Sequence, residues 1–302
     1  MMGRLSQIAF VTLSTVTFGQ TLWADGAPVY ATPQAALEAL VAGLETGDAQ
    51  VAVDAMDPAV ADLMRVEDEG ATQQNMASLL ALYREGYRFV PAENAVVIEL
   101  GEDGWPFPVP LMQVESGWSY DALAAEDELL ARQIGGNEIA IIEALEGYVE
   151  LQSEFRQTDQ DGDGVMEFAA SIISSPDNRD GLFWDGENSL IGDLAARANL
   201  DGFEEGGEDA AADPFNGYYF RLLKAQGDAA PGGAMPYMVN GNMVAGHALL
   251  AVPAEYGVTG VHSFQISESG VVWEADLGPE SLEAAIEVVV FNPDENWSAL
   301  TN

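Results

Sequence analysis

The sequence predicts an α+β protein: a small helix-plus-meander domain, followed by a long helix packed on an antiparallel sheet. Three observations predict it. The hydrophobic period is helical up to about Gly86 and becomes two afterwards. A helical stripe returns beyond Gly136, where Ile141, Leu145, Tyr148 and Phe155 recur at steps of four, three and seven. From Gly217 onward, short strand-like runs alternate with turn signals such as Asn240-Gly241 and Ser269-Gly270.

In chain order, residues 1–24 read as a cleaved secretory signal. Arg4 is the positive end, Ile8 to Trp23 is mostly apolar, and Leu22-Trp23-Ala24 suits cleavage. No later segment is long and apolar enough to suggest a bilayer span, so no integral membrane segment is expected after cleavage. The N-terminal α+β domain is placed at 25–122. Thr32-Pro33 caps a helix with Leu37, Leu40, Val41 and Leu44 on one stripe. Short helices follow near Ala49–Ala55 and Pro58–Met64, and Thr72 opens another that turns Met76, Leu79, Leu80 and Tyr83 inward. Val96, Ile98 and Leu100 alternate as a strand, Trp105 to Val114 is a proline-rich edge strand, and Trp118 to Tyr120 is a third. The hairpin Glu115-Ser116-Gly117-Trp118-Ser119-Tyr120-Asp121 looks like the last hairpin of many NTF2-like domains.

Residues 123–136 are expected to form a connecting helix and a hinge at Gly135-Gly136. The C-terminal domain then occupies 137–302, opening with Asn137 as N-cap and Glu138 in the first turn. Glu143, Glu146, Glu150 and Glu154 mark the polar face of its helix. Ser174 to Trp184 reads as irregular, Leu190 to Ala198 as a short helix, and Asp201 to Asp213 as an acidic loop. Strands are expected at Tyr218–Gln226, Tyr237–Val239, Met243–Val252, Val261–Ser267 and Val271–Asp276, with Ser281–Val288 left open between helix and strand.

Composition narrows the function. Hydrophobic residues make up 48% of 302, which is ample for a core. Fifty acids face ten Lys plus Arg, giving a formal charge of −40. Such a field repels nucleic acid and anionic surfaces and attracts divalent cations. Cysteine is absent, which excludes disulfides, thiol chemistry and a lipoprotein anchor. His247 and His262 are the only histidines, and both lie in apolar, strand-like runs that favour packing over zinc.

One stretch states a chemistry. The long helix runs into Asp159-Gln160-Asp161-Gly162-Asp163-Gly164, within a calcium-like loop at 159–170. Against a twelve-residue calcium template, Asp159, Asp161 and Asp163 fall at positions one, three and five. Gly164 falls at the sharp turn, Val165 offers its carbonyl at seven, and Glu167 falls at nine. At position twelve the template wants a bidentate Glu and the chain has Ala170, so the shell needs another carboxylate, from Asp177, Asp180 or Asp185. A solvated acidic turn is the alternative reading of the same residues.

Six motifs in order resemble a known set: Trp105-Pro106-Phe107-Pro108, Asp161-Gly162-Asp163-Gly164, Asp180-Gly181-Leu182-Phe183-Trp184, Gly217-Tyr218-Tyr219-Phe220-Arg221, Ala230-Pro231-Gly232-Gly233-Ala234 and Pro253-Ala254-Glu255-Tyr256-Gly257-Val258-Thr259-Gly260. They resemble the secreted bacterial family catalogued as domain of unknown function 2950. That resemblance implies a periplasmic or secreted address and no particular reaction. The runs Tyr218–Leu222, Ala248–Pro253, Gly257–Gly260, Ser263–Ile266 and Gly270–Trp273 after a long helix also look like the globular part of type IV pilin-like proteins. Here the membrane-spanning apolar half of a pilin helix is missing.

Together these observations lead to an exported envelope protein of unknown specific role, calcium-stapled, acting in binding or assembly with an unidentified envelope partner. Two alternatives remain open. One is a periplasmic hydrolase using a carboxylate pair on an envelope polymer. The other is an interaction module for filament or secretion-system assembly, pairing through an exposed strand edge. The motifs of phosphate loops, serine elbows and zinc helices are missing, and catalytic residues are not identifiable among 50 acids.

Overall fold

The computed structural model describes residues 27–57, 59–60, 69–176, 178–200 and 213–300. The expected signal at 1–24, most of the expected helix at Pro58–Met64, the acidic loop up to residue 212 and Asp177 lie outside the described residues. The chain is α+β and divides into two compact units between Glu128 and Leu129.

The first unit opens with α1 (Pro33–Glu45), capped by the Thr32 hydroxyl, which accepts from the Ala35 N–H at 3.1 Å. α2 (Ala49–Asp54) and α3 (Glu69–Glu85) follow. A meander then runs through β1 (Tyr87–Pro91), β2 (Ala95–Leu100), β3 (Trp105–Pro106), β4 (Leu111–Val114) and β5 (Gly117–Tyr120). The sheet order is β1-β2-β4-β5, with β3 paired to β2 off that path. The expected proline-rich strand is therefore two short strands. Between them Phe107 and Val109 drop into the core, because prolines at 106, 108 and 110 cannot donate to a ladder. β1 was not read from the sequence; its faces are too mixed to alternate. Leu37, Leu40, Ile98, Leu100, Leu111 and Tyr120 centre the core, as their helical and strand periods require.

α4 (Ala122–Phe155) contributes Ala125 to the first core, and its later turns belong to the second unit. The expected hinge is a correction. Gly135 and Gly136 are helical, and Asn137 is not an N-cap. A glycine costs a helix interior about 1 kcal/mol, but cooperative growth from both flanks carries the pair. The cap is also unneeded, since the Asn137 amide donates to the Thr259 carbonyl at 2.9 Å.

In the second unit, β6 (Ser171–Ile173) and β7 (Gly181–Phe183) form a parallel pair, the second strand lying within the segment 174–184 expected to be irregular. Long-range bonds make it, with the Ala170 N–H donating to Asp180 O and the Ser174 N–H to Phe183 O. Then come α5 (Asp193–Arg197), β8 (Tyr218–Leu223), β9 (Ala225–Gln226), β10 (Met235–Pro236), β11 (Met238–Val239), β12 (Asn242–Met243), β13 (Ala248–Pro253), β14 (His262–Ser267), β15 (Val272–Asp276), α6 (Ser281–Ile286) and β16 (Ser298–Ala299). The expected strands at 218–226 and 243–252 are each broken, and 281–286 is helix. The main sheet is antiparallel, in the order β16-β15-β14-β13-β8.

Ile141, Leu145, Tyr148 and Phe155 are buried in the core shared with this sheet, while Glu143, Glu146, Glu150 and Glu154 are exposed. Leu222, Leu249 and Ile266 line up across three strands in one row of that core. Arg221, on the alternate face, is buried and donates Nη1 to the carbonyls of Ala285 and Ile286 at the end of α6. A cation suits that end of a helix.

Candidate cation site

The helix hands the chain to the acidic loop through local chemistry. The Asp159 carboxylate accepts from the N–H groups of Gly162 at 2.8 Å and Gly164 at 3.0 Å. Asp161 accepts from Asp163 N–H at 3.1 Å, and Asp163 from Val165 N–H at 2.7 Å. Gly164 has φ +91°, a left-handed conformation that a side chain would strain, which explains glycine at the turn.

This folding gathers Asp159, Asp161 and Asp163 so that one carboxylate oxygen of each lies within 4.8 Å of the others. Glu167 stands outside that set of three, and its carboxylate accepts from the Met243 N–H at 2.8 Å. Burial raises the Glu167 carboxyl above its ordinary range. The Met243 N–H opposes that rise, while the charges of Asp161, Asp163 and Asp180 add to it. Asp180 is thus close enough for its charge to act on Glu167, although its own carboxylate accepts from the Ser175 N–H and hydroxyl at 2.7 Å each. Val165 is exposed.

The loop is tied to the β11–β12 hairpin, whose turn is Asn240-Gly241 as its sequence demands. The Asn242 amide donates to the Asp163 carboxylate, and Phe168 bridges to Met243. Sequence reasoning missed Asn242, which lies 79 residues from its partner. It also missed Gln152, which is fully buried on α4. The Gln152 amide donates to Ala169 O and its carbonyl accepts from Ala169 N–H, at 3.1 and 2.8 Å. The signal available was an apolar stripe interrupted by one glutamine.

The histidines do not meet at a shared site. The His247 ring packs edge-on to Tyr148 and Phe168, and its Nδ1 has no partner among the described residues. His262 Nδ1 lies 3.2 Å from Glu138, whose carboxylate also accepts from the Val261 and His262 N–H groups at 2.9 Å. Of the scarce cations, Arg179 stacks over Trp184, 5.2 Å from the ring centre. The Pro253–Gly260 loop closes on itself: Thr259 N–H donates to Glu255 O, and Gly257 N–H to Gly260 O.

A family described as Protein of unknown function (DUF2950) matches residues 27–300. The chain belongs to that family. The DUF2950 match spans both units. No curated protein and no solved structure matches the chain. No helix among the described residues is long and apolar enough to cross a membrane.

Proposed function

We propose that this DUF2950 chain is an exported envelope protein without catalytic activity. In this reading calcium holds the acidic loop and staples the long helix to the C-terminal sheet, and the protein serves binding or assembly with an envelope partner. The observation that carries the reading is the convergence of Asp159, Asp161 and Asp163 on a loop that also grips the β11–β12 hairpin through Asn242 and Met243. Three carboxylates are a hard-oxygen donor set suited to calcium. Val165 would add its carbonyl and Glu167 a fourth carboxylate, and Asp180, whose charge acts on Glu167, is a described candidate for the shell's missing member. With Ala170 at position twelve, an affinity of about 0.1–1 mM is expected, the range of extracellular modules. The signal-like residues 1–24 support the address, and the net charge of −40 favours a divalent cation at the loop.

A filament module has less support. β8 is buried throughout, and the Phe220 N–H on its outer edge donates to Ala198 O at 2.7 Å; the opposite edge, β16, is two residues long. The hydrolase reading has one observation in its favour, the raised Glu167 among neighbouring carboxylates. A bound cation would occupy those same groups.

The test is a thermal melt in chelator and then in millimolar calcium at fixed ionic strength, with magnesium as control and Asp161→Ala alongside. A ligand that binds only the folded form must raise the melting temperature. A calcium-specific rise that vanishes in the variant is expected. An equal rise with magnesium, or none, would reduce the loop to a solvated turn.

A further inference from the structure

Within the second unit, α4, the β6–β7 pair, α5 and the main sheet enclose a groove of about 640 Å³. That is the size of a small-molecule site rather than a packing defect. Its walls are apolar: Tyr148 and Leu151 from α4, Ile172 and Leu182 from the parallel pair, Leu249 from β13, and the rings of Phe215 and Phe220. One charged side chain stands among the described lining residues, Asp193, and it is paired with Arg197 at 2.8 Å. Leu194 at the mouth is 71% exposed.

Two glycines hold the groove open. A side chain added at Gly147 or at Gly192 would meet no atom within 4 Å. Glycine weakens a helix interior relative to alanine, and at Gly147 no close neighbour requires it. Gly192 has φ −78° and ψ 161°, a conformation open to any residue, and it caps α5 without a side-chain bond. The physical consequence of both is empty space lined by hydrocarbon.

From these observations we infer that the groove is a binding site for a single uncharged aliphatic chain, such as the tail of a long-chain alcohol or ester. The apolar walls and the volume suit the chain. No Lys or Arg stands among the described lining residues, and Arg197 at the rim is already paired with Asp193, so a carboxylate would meet no free cation there; together with the net charge of −40 this selects against fatty acids. This names the ligand class for the binding role proposed above and rests on that reading.

The test uses the neutral fluorophore N-phenyl-1-naphthylamine with the full mature chain, in chelator and in calcium. Saturable binding is expected, displaced by 1-dodecanol and not by dodecanoate. Gly147→Leu and Gly192→Leu should each weaken probe binding at least about tenfold without lowering the melting temperature, so either variant suffices if the other does not fold. No saturable binding, equal displacement by dodecanoate, or unchanged affinity in the folded variants would overturn the inference. So would a dimer in sedimentation that excludes the probe, which would assign the groove to a second copy. Loss of probe binding beside an intact calcium-specific melt shift sinks the groove alone. Probe binding beside a flat calcium melt sinks the staple alone.

Discussion

His247 and His262 carry opposite pH dependences. Burial, reinforced by the nearby Arg156 charge, pushes His247 down to about 4. Unfolded, the same ring titrates near about 6.5, so between those values the unfolded chain binds more protons. The stability from keeping His247 neutral is complete above about pH 6.5 and is lost as pH falls toward about 4, a difference of about 3 kcal/mol. His262 is raised, chiefly by its bond to Glu138, with Glu274 and Asp276 adding to it against the effect of burial. Its contribution is full below about pH 6.5 and fades as pH rises through the higher folded value. Urea unfolding of wild type across about pH 4 to 8 should therefore climb steeply on the acid side and decline gently on the alkaline side. A His247→Phe variant, which keeps an aromatic between Tyr148 and Phe168, should lose most of the acid slope. An unchanged slope would mean that His247 is not the group responsible.

The element that organises the second unit is α4, and Gln152 makes its hydrogen bonds to the chain immediately after the acidic loop. Both backbone groups of Ala169 end on that one side chain. Replacing Gln152 with Leu keeps the volume and orphans a buried donor and acceptor. Each such group costs about 1–3 kcal/mol, so a loss of about 3 kcal/mol is expected in chemical denaturation. A loss under about 1 kcal/mol would place those groups in contact with water instead. This staple needs no ion, so the variant should keep whatever calcium response the wild type has. Spacing alone made the stripe of α4 legible, because Ile141, Leu145, Tyr148 and Phe155 follow the 3.6-residue period. The uninterrupted run through Gly135-Gly136 was not legible, because local propensity argues for a break there.

At the scale of the whole molecule the dominant fact is 50 acids against ten basic side chains. Several bases are spent within the fold: Arg88 on Glu99, Arg197 on Asp193 and Asp213, and Arg221 on the α6 carbonyls. The remaining acids repel one another, and monovalent salt screens that repulsion over a Debye length of about 10 Å at 0.1 M. The melting temperature should rise steadily between about 10 mM and about 1 M sodium chloride, in chelator as well as in calcium. A flat response would show that the acids are too dispersed for self-repulsion to matter.

The α+β class, the apolar stripes, the Asn240-Gly241 turn and the three converging aspartates were all readable along the chain. Each depends on residues within a turn or two of one another, where period and turn chemistry act directly. The β6–β7 pairing, the partners of Gln152, Asn242 and Glu138, and the open groove beside Gly147 were decided at longer range. These features join residues as much as 124 positions apart. Which of many possible polar partners meets a given side chain depends on how the whole core closes, and no local pattern encodes that choice.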